Sequence, residues 1–155
     1  MLITLITIGQ KMPNWVEQGY CEYAKRLSET FKLQLHEIPA QNRSKNADIK
    51  QTLKREAKSL LNAVPKGDVI IALDRCGKSL STEVFSDQLK QWHDLSQNIS
   101  ILIGGPEGID PHCLNTIAIK WSLSRFTLPH PLVRIIIAEQ IYRAFSIISR
   151  HPYHR

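Results

Sequence analysis

The sequence predicts an α/β fold, one domain in which a mostly parallel sheet carries helices on both faces. Three observations predict it. Continuous apolar runs such as "LITLITI", "DVIIALD" and "ISILI" have the length and β-branched content of strands buried on both sides. Segments of helical period separate them, so the order reads βαβαβαβαβα. No linker, repeat or low-complexity tract divides the 155 residues, a length that supports one hydrophobic core.

The elements follow in order. "LITLITI" is the first strand, ended by Gly9. A helix is expected from Trp15 to Phe31, because Val16, Tyr20, Tyr23, Ala24 and Leu27 recur at helical spacing, with Asn14 as its N-cap after Pro13. "KLQLHEIP" alternates polar and apolar residues and stops at Pro39, which is strand behaviour. The loop "AQNRSKNAD" is polar and basic, and leads into a helix from Asp48 to Val64. Ile49, Leu53, Leu60 and Leu61 form its inner face, and Lys50, Lys54, Arg55 and Lys58 occupy much of the rest. "DVIIALD" is the third strand, Thr82 to Leu95 the third helix and "ISILI" the fourth strand. A short helix starts near Asp110, Ile117 to Leu123 is the fifth strand, and Leu132 to Ser149 is the last helix.

Charge is distributed unevenly around a formal net of +6. Residues 1–66 carry 11 Lys and Arg against 6 Asp and Glu; residues 67–119 carry 3 against 7; residues 120–155 carry 6 against 1. Two basic ends around an acidic middle suit a polyanion such as RNA, and equally a solvated basic face. The cysteines Cys21, Cys76 and Cys113 are far apart and form no CxxC pair, which argues against zinc or redox sites and for reduced thiols in the cytoplasm. No apolar run reaches the length of a membrane span, and Met1 leads into a strand rather than a signal peptide.

Open α/β sheets bind ligands beyond the carboxyl ends of their strands. The first strand is followed only by "GQKMP", with no G-x-G-x-x-G and no phosphate-binding Gly-Lys-Ser/Thr, so flavodoxin-type and ordinary dinucleotide readings fail where they should succeed. The glycines sit after the fourth strand instead, in "ILIGGPEG". Without side chains, Gly104 and Gly105 let a flat ligand or another length of chain lie against the backbone. Leu73, Gly104 and the Ser122–Leu128 backbone converge on one cleft if their strands are neighbours. For Glu107, the lone acid of this turn, capping of a helix or the turn is the bland role.

"LDRCGKSLSTEVF", "ILIGGPEG", "WSLSRFTLPHPLVRIIIAEQIYRAFSI" and "HPYHR", in this order and with "GQKMPNWV" and "KNADIK" before them, resemble the ribosomal RNA large subunit methyltransferase H family, of the SPOUT class. The resemblance runs the whole length. It implies a trefoil-knotted α/β fold, which no periodicity reveals. It implies an S-adenosylmethionine site made by Leu73, Gly104, Leu123, Ser124, Arg125, Phe126, Thr127 and Leu128, with Leu123, Phe126 and Leu128 forming part of an apolar slot unless the core takes them. The implied substrate is a pseudouridine of 23S rRNA in the assembled ribosome, methylated at N3 in the hairpin at the subunit interface. The sulfonium already activates the methyl group, so alignment is the main requirement and no metal is needed.

The pseudouridine N3 proton calls for a base or a cation, and "RHPYHR" offers candidates. His154 has a suitable ordinary pKa, Tyr153 can stack on a base or donate a hydrogen bond, and Arg150 and Arg155 can hold phosphates. A frayed basic end is the bland alternative. His130, stiffened between Pro129 and Pro131, orients substrate or simply turns the chain. Arg134 and Arg143 face RNA, unless Arg143 pairs with Glu139 four residues earlier. The last helix is apolar on more than one face, which calls for a cover beyond the sheet; a homodimer supplies it, as the resemblance also implies. With no separate RNA-binding domain in these residues, 70S ribosomes are the expected substrate. A non-catalytic RNA- or ribosome-binding factor on the same scaffold is the competing reading.

Overall fold

β1 (Leu2–Ile8) has β2 (Lys32–Ile38) on one side and β4 (Ile99–Ile103) on the other, and β3 (Val69–Ser79) lies between β4 and β5 (Ile119–Ser122). Every pairing in this five-stranded sheet is parallel. The computed structural model describes residues 1–44 and 47–154, His154 by its backbone alone. Among the described residues, no helix is long and apolar enough to cross a membrane.

Strand alternation sorts the core into two layers. Ile3, Leu5, Ile71, Ile99, Ile101 and Ile103 face one side, where α1 (Asn14–Ala24), α3 (Thr82–Asp94) and α5 (His130–Ile148) supply Tyr20, Leu89, Ile137, Ala138 and Ile141. Ile6, Ile8, Ala72 and Leu102 face the other side and meet Ala57 and Leu60 of α2 (Ile49–Asn62) and Cys113 of α4 (Pro111–Thr116). Helices on both faces of a parallel sheet are the architecture expected from the apolar runs. Trp121 anchors the four-residue β5, edge-on to Phe85 at 5.3 Å and stacked on Trp92 at 5.7 Å.

The element boundaries differ from expectation for local reasons. α1 ends at Ala24, not Phe31: the Arg26 and Leu27 N–H groups bond back only three residues, to the Tyr23 and Ala24 carbonyls, and the Phe31 N–H closes a separate turn on the Ser28 carbonyl. Leu27 still packs on the core, from the turn. Asn14 is inside the helix and Pro13 holds the N-cap position without a side-chain bond. In α2 the buried face is Thr52, Glu56, Ala57 and Leu60, whereas Ile49 is exposed. α5 begins at His130, two residues early, since Pro131 is compatible with a first helical turn. β5 is shorter than expected: Ile117 caps α4 in extended geometry before the strand begins.

β3 runs past Asp74 to Ser79 with an irregularity. Both Leu73 and Lys78 register with Trp121, so residues 74–77 form an unpaired excursion. The Asp74 carboxylate accepts from the Cys76 N–H at 2.8 Å within it. At Gly77 a Cβ would stand 2.5 Å from the Trp121 carbonyl carbon, so only glycine lets these two backbones pass.

Candidate active site

The strand order makes the carboxyl ends of β4, β3 and β5 neighbours. Leu73 registers with Ile103, the residue before Gly104, and also with Trp121, the residue before Ser122. Leu73, Gly104 and the 122–128 segment therefore meet along one edge of the sheet. Gly104 is buried; Leu73, Ser124 and Leu128 are half-buried; Arg125, Phe126 and Thr127 are exposed. The segment is shaped by its own serines, with the Ser122 hydroxyl donating to the Ser124 carbonyl and the Ser124 hydroxyl accepting from the Phe126 N–H, both at 2.9 Å. Leu123 packs against the core, so of the three residues expected to form an apolar slot it is the one the core engages. Phe126 is 83% exposed. This edge of the sheet thus presents the exposed residues 125–127 beside the half-buried Leu73 and Leu128.

The glycine turn folds tightly on itself. Gly108 N–H donates to the Gly105 carbonyl at 2.9 Å, and Gly108 has φ +84°. Glu107 caps no helix. Its carboxylate accepts from Arg43 Nε at 2.9 Å, and the Arg43 Nη atoms donate to both oxygens of Glu56 at 2.9 Å. Neither Arg43 nor Glu56 stood out in the sequence. The usable signal was an acid in α2 at helical spacing from Thr52 and Leu60, on what proves to be the inner face.

The first turn of α5 fills the space beyond β1, where a phosphate loop would otherwise lie. A Cβ on Gly9, φ +105°, would be 3.4 Å from His130 Cε1 and 3.6 Å from Arg134 Nη2. Arg134 is a correction to the sequence reading: it does not face RNA. It is 1% exposed, ion-pairs with Glu37, and donates to the Gly9 carbonyl at 2.7 Å and, at 3.4 Å, to that of Ile8.

His130 Nδ1 is buried without a protein partner among the described residues. Desolvation first, then the charges of Arg134 and Arg43, hold its pKa below the ordinary histidine value. The unfolded chain takes up the proton near the ordinary value and the folded chain resists it. His130 therefore withdraws stability as pH falls through about 6.5, and not above it. Between about pH 8 and pH 5.5, the melting temperature of the wild type should fall further than that of His130→Asn. Parallel melting curves for the two would show that His130 is not held neutral.

Of the remaining candidates, Arg143, Arg150 and Tyr153 gather at the far end of α5. Arg143 pairs with Glu139, Nε to Oε1 at 2.8 Å, which is the i,i+4 alternative to facing RNA. Its guanidinium also lies 5.0 Å from the centre of the Tyr153 ring, and the Tyr153 hydroxyl donates to Glu139 at 3.3 Å. Desolvation, with Tyr23 and Glu139 nearby, pushes the Tyr153 pKa up to about 12, so it is a neutral phenol at physiological pH. Arg150 is exposed and ends the helix in the left-handed region, φ +57°. The side chain of His154 and all of Arg155 lie outside the described residues, as do Lys45 and Asn46 of "KNADIK".

With this geometry in view, similarity to known proteins becomes interpretable. The profile of the family described as "predicted SPOUT methyltransferase" matches residues 1–154. A Marinomonas sp. (strain MWYL1) protein named ribosomal RNA large subunit methyltransferase H is 52% identical over 155 residues, covering all of both chains. A Hydrogenovibrio crunogenus (strain DSM 25203 / XCL-2) protein of the same name is 48% identical over 155 residues, covering all of this chain and 99% of that one. The chain thus belongs to the SPOUT methyltransferases, in the family of ribosomal RNA large subunit methyltransferase H.

Proposed function

We propose that the protein transfers the methyl group of S-adenosylmethionine to N3 of a pseudouridine in the intersubunit hairpin of 23S rRNA, acting in the cytoplasm as a homodimer on assembled 70S ribosomes. The observation that carries this reading is the meeting of Leu73, Gly104 and residues 122–128 at three adjacent strand ends, in a chain of a methyltransferase family. The relatives' name supports large-subunit rRNA as the substrate. The trefoil knot belongs to the same reading and is supported by the close passage of Gly77 past Trp121 and by β3 pairing with β5 on both sides of residues 74–77.

S-adenosylmethionine would supply an activated methyl group. The chain's own task is to hold and orient: Gly104 and the 122–128 backbone would line the cofactor's polar edge, and Leu73 and Leu128 its apolar face. His154 is the proposed base for the N3 proton, Tyr153 a stacking or donor group, and Arg150 and Arg155 the phosphate holders. Tyr153 packs on Tyr142, centroids 4.6 Å apart. An α-helix rises 1.5 Å per residue, so Tyr142 is about 18 Å along α5 from His130 and the strand-end cleft. That separation favours a tail that serves the cleft of a second copy, and hence the homodimer.

Transfer of labelled methyl to ribosomes with and without the hairpin pseudouridine, with the modified nucleotide mapped, tests this reading. Label is expected only where pseudouridine is present, with naked 23S rRNA much slower than 70S ribosomes and His154→Ala slow in single turnover. Label on both ribosomes would remove the base specificity, and the absence of cofactor binding would favour a non-catalytic ribosome-binding role.

A further inference from the structure

We infer that Arg43 is a positioning residue for the cofactor turn, an inference that rests on the cofactor reading above. Arg43 follows β2 and is 64 residues from Glu107 in sequence, yet its guanidinium joins three separate segments. Nη1 donates to Glu56 at 2.9 Å and to the Gln41 carbonyl at 3.1 Å, Nη2 donates to Glu56 at 2.9 Å, and Nε donates to Glu107 at 2.9 Å. Glu56, only 2% exposed, also accepts from the Gln41 N–H at 2.9 Å.

Two of these links answer a structural need. A buried carboxylate must be paired and hydrogen-bonded, and the Arg43 fork with the Gln41 amide does that. The third link does not. Glu107 keeps a side-chain exposure of 34% and would be hydrated without Arg43. What the Nε bond adds is a tie between the glycine turn and α2. The guanidinium also lies close on the turn: a Cβ on Gly105 would be 2.7 Å from Arg43 Nη2 and 3.4 Å from Glu56 Oε2. The two adjacent glycines thus serve different contacts. Gly104 accommodates the Gly108 carbonyl, and Gly105 seats the arginine that grips Glu107. A turn held from one side by its own backbone and from the other by Arg43 is preorganised for a ligand at Gly104. Lysine cannot replace the fork, since one ammonium cannot present coplanar donors to two carboxylates.

The test is calorimetric titration of S-adenosylmethionine into the wild type, Glu107→Ala, Arg43→Lys and the double variant, with thermal melts of each. Glu107→Ala should melt within a degree or two of the wild type and bind the cofactor about five- to tenfold more weakly, the size of one coupled contact. Arg43→Lys should bind as weakly as Glu107→Ala and also melt lower, because Glu56 loses part of its pairing. The double variant should lose no more affinity than Arg43→Lys alone. Unchanged cofactor affinity in Glu107→Ala, full affinity in Arg43→Lys, or additive losses in the double variant would overturn the inference while leaving the cofactor site standing. A wild type that binds no S-adenosylmethionine would overturn the cofactor reading and this inference with it.

Discussion

Arg134→Ala is expected to destabilise the folded chain by about 3 kcal/mol, toward the lower end of what breaking a buried ion pair costs. The lower end applies because the partner, Glu37, keeps a side-chain exposure of 33% and regains some water. The rest of the loss falls on the Ile8 and Gly9 carbonyls, which lose their donor at the buried end of β1, and on the space the side chain vacates. For a chain of this size the melting temperature should drop by roughly 10 °C. Arg134→Met leaves Glu37 equally unpaired but keeps most of the volume, so it should lose less. An arginine that contacted phosphate would behave otherwise: its removal would spare the melt and lower the salt dependence of ribosome binding by about one unit of slope. Thermal melts beside a salt titration of ribosome binding separate the two roles. An Arg134→Ala protein that melts like the wild type would restore the RNA role.

The contrast between Arg134 and β4 shows what a sequence makes legible. β4 was read with its exact limits because Ile99–Ile103 is apolar at four of five positions, so burial on both faces and strand length leave no other choice. The meeting of strand ends was legible for a related reason: in a parallel sheet the loops after the strands all lie at one end, and glycines had collected there. Charged side chains are harder, because the same arginine in α5 is a phosphate ligand or an internal strut depending on a strand 97 residues or more away. Glu37 and Glu56 illustrate the point. Each is an ordinary acid in sequence, and each becomes decisive only through an arginine placed against it by the fold. The end of α1 was misread because apolar spacing continues to Leu27 although the backbone leaves the helix at Ala24; burial, not helical geometry, is what the spacing records. Passage of Gly77 against Trp121 leaves no periodic trace at all, since it is a relation between two backbones.

Backbone contact of that kind yields the other large expected effect. Gly104→Ala should cost about 3 kcal/mol and abolish cofactor binding, because strain in a packed interior of this severity reaches the top of the overpacking range. The new Cβ would stand 2.4 Å from both the carbon and the oxygen of the Gly108 carbonyl and 2.9 Å from Ile109 Cγ1. Side chains yield by changing rotamer, but a carbonyl does so only by rotating its peptide. That peptide joins Gly108 to Ile109, directly after the N–H that closes the turn on Gly105, so its rotation changes the Gly108 torsions and strains the turn. Gly108→Ala is the matched control. Nothing lies within 4 Å of its Cβ position, so its penalty comes from φ +84° alone, about 1–2 kcal/mol for a residue forced into the left-handed region. The two single-methyl substitutions, four residues apart in one turn, thus separate close approach from torsional strain. Calorimetry with S-adenosylmethionine and thermal melts on both should show Gly104→Ala as the more damaging by each measure. If Gly104→Ala binds the cofactor as tightly as the wild type, the turn has room that its backbone contacts deny, and Gly104 does not line the site.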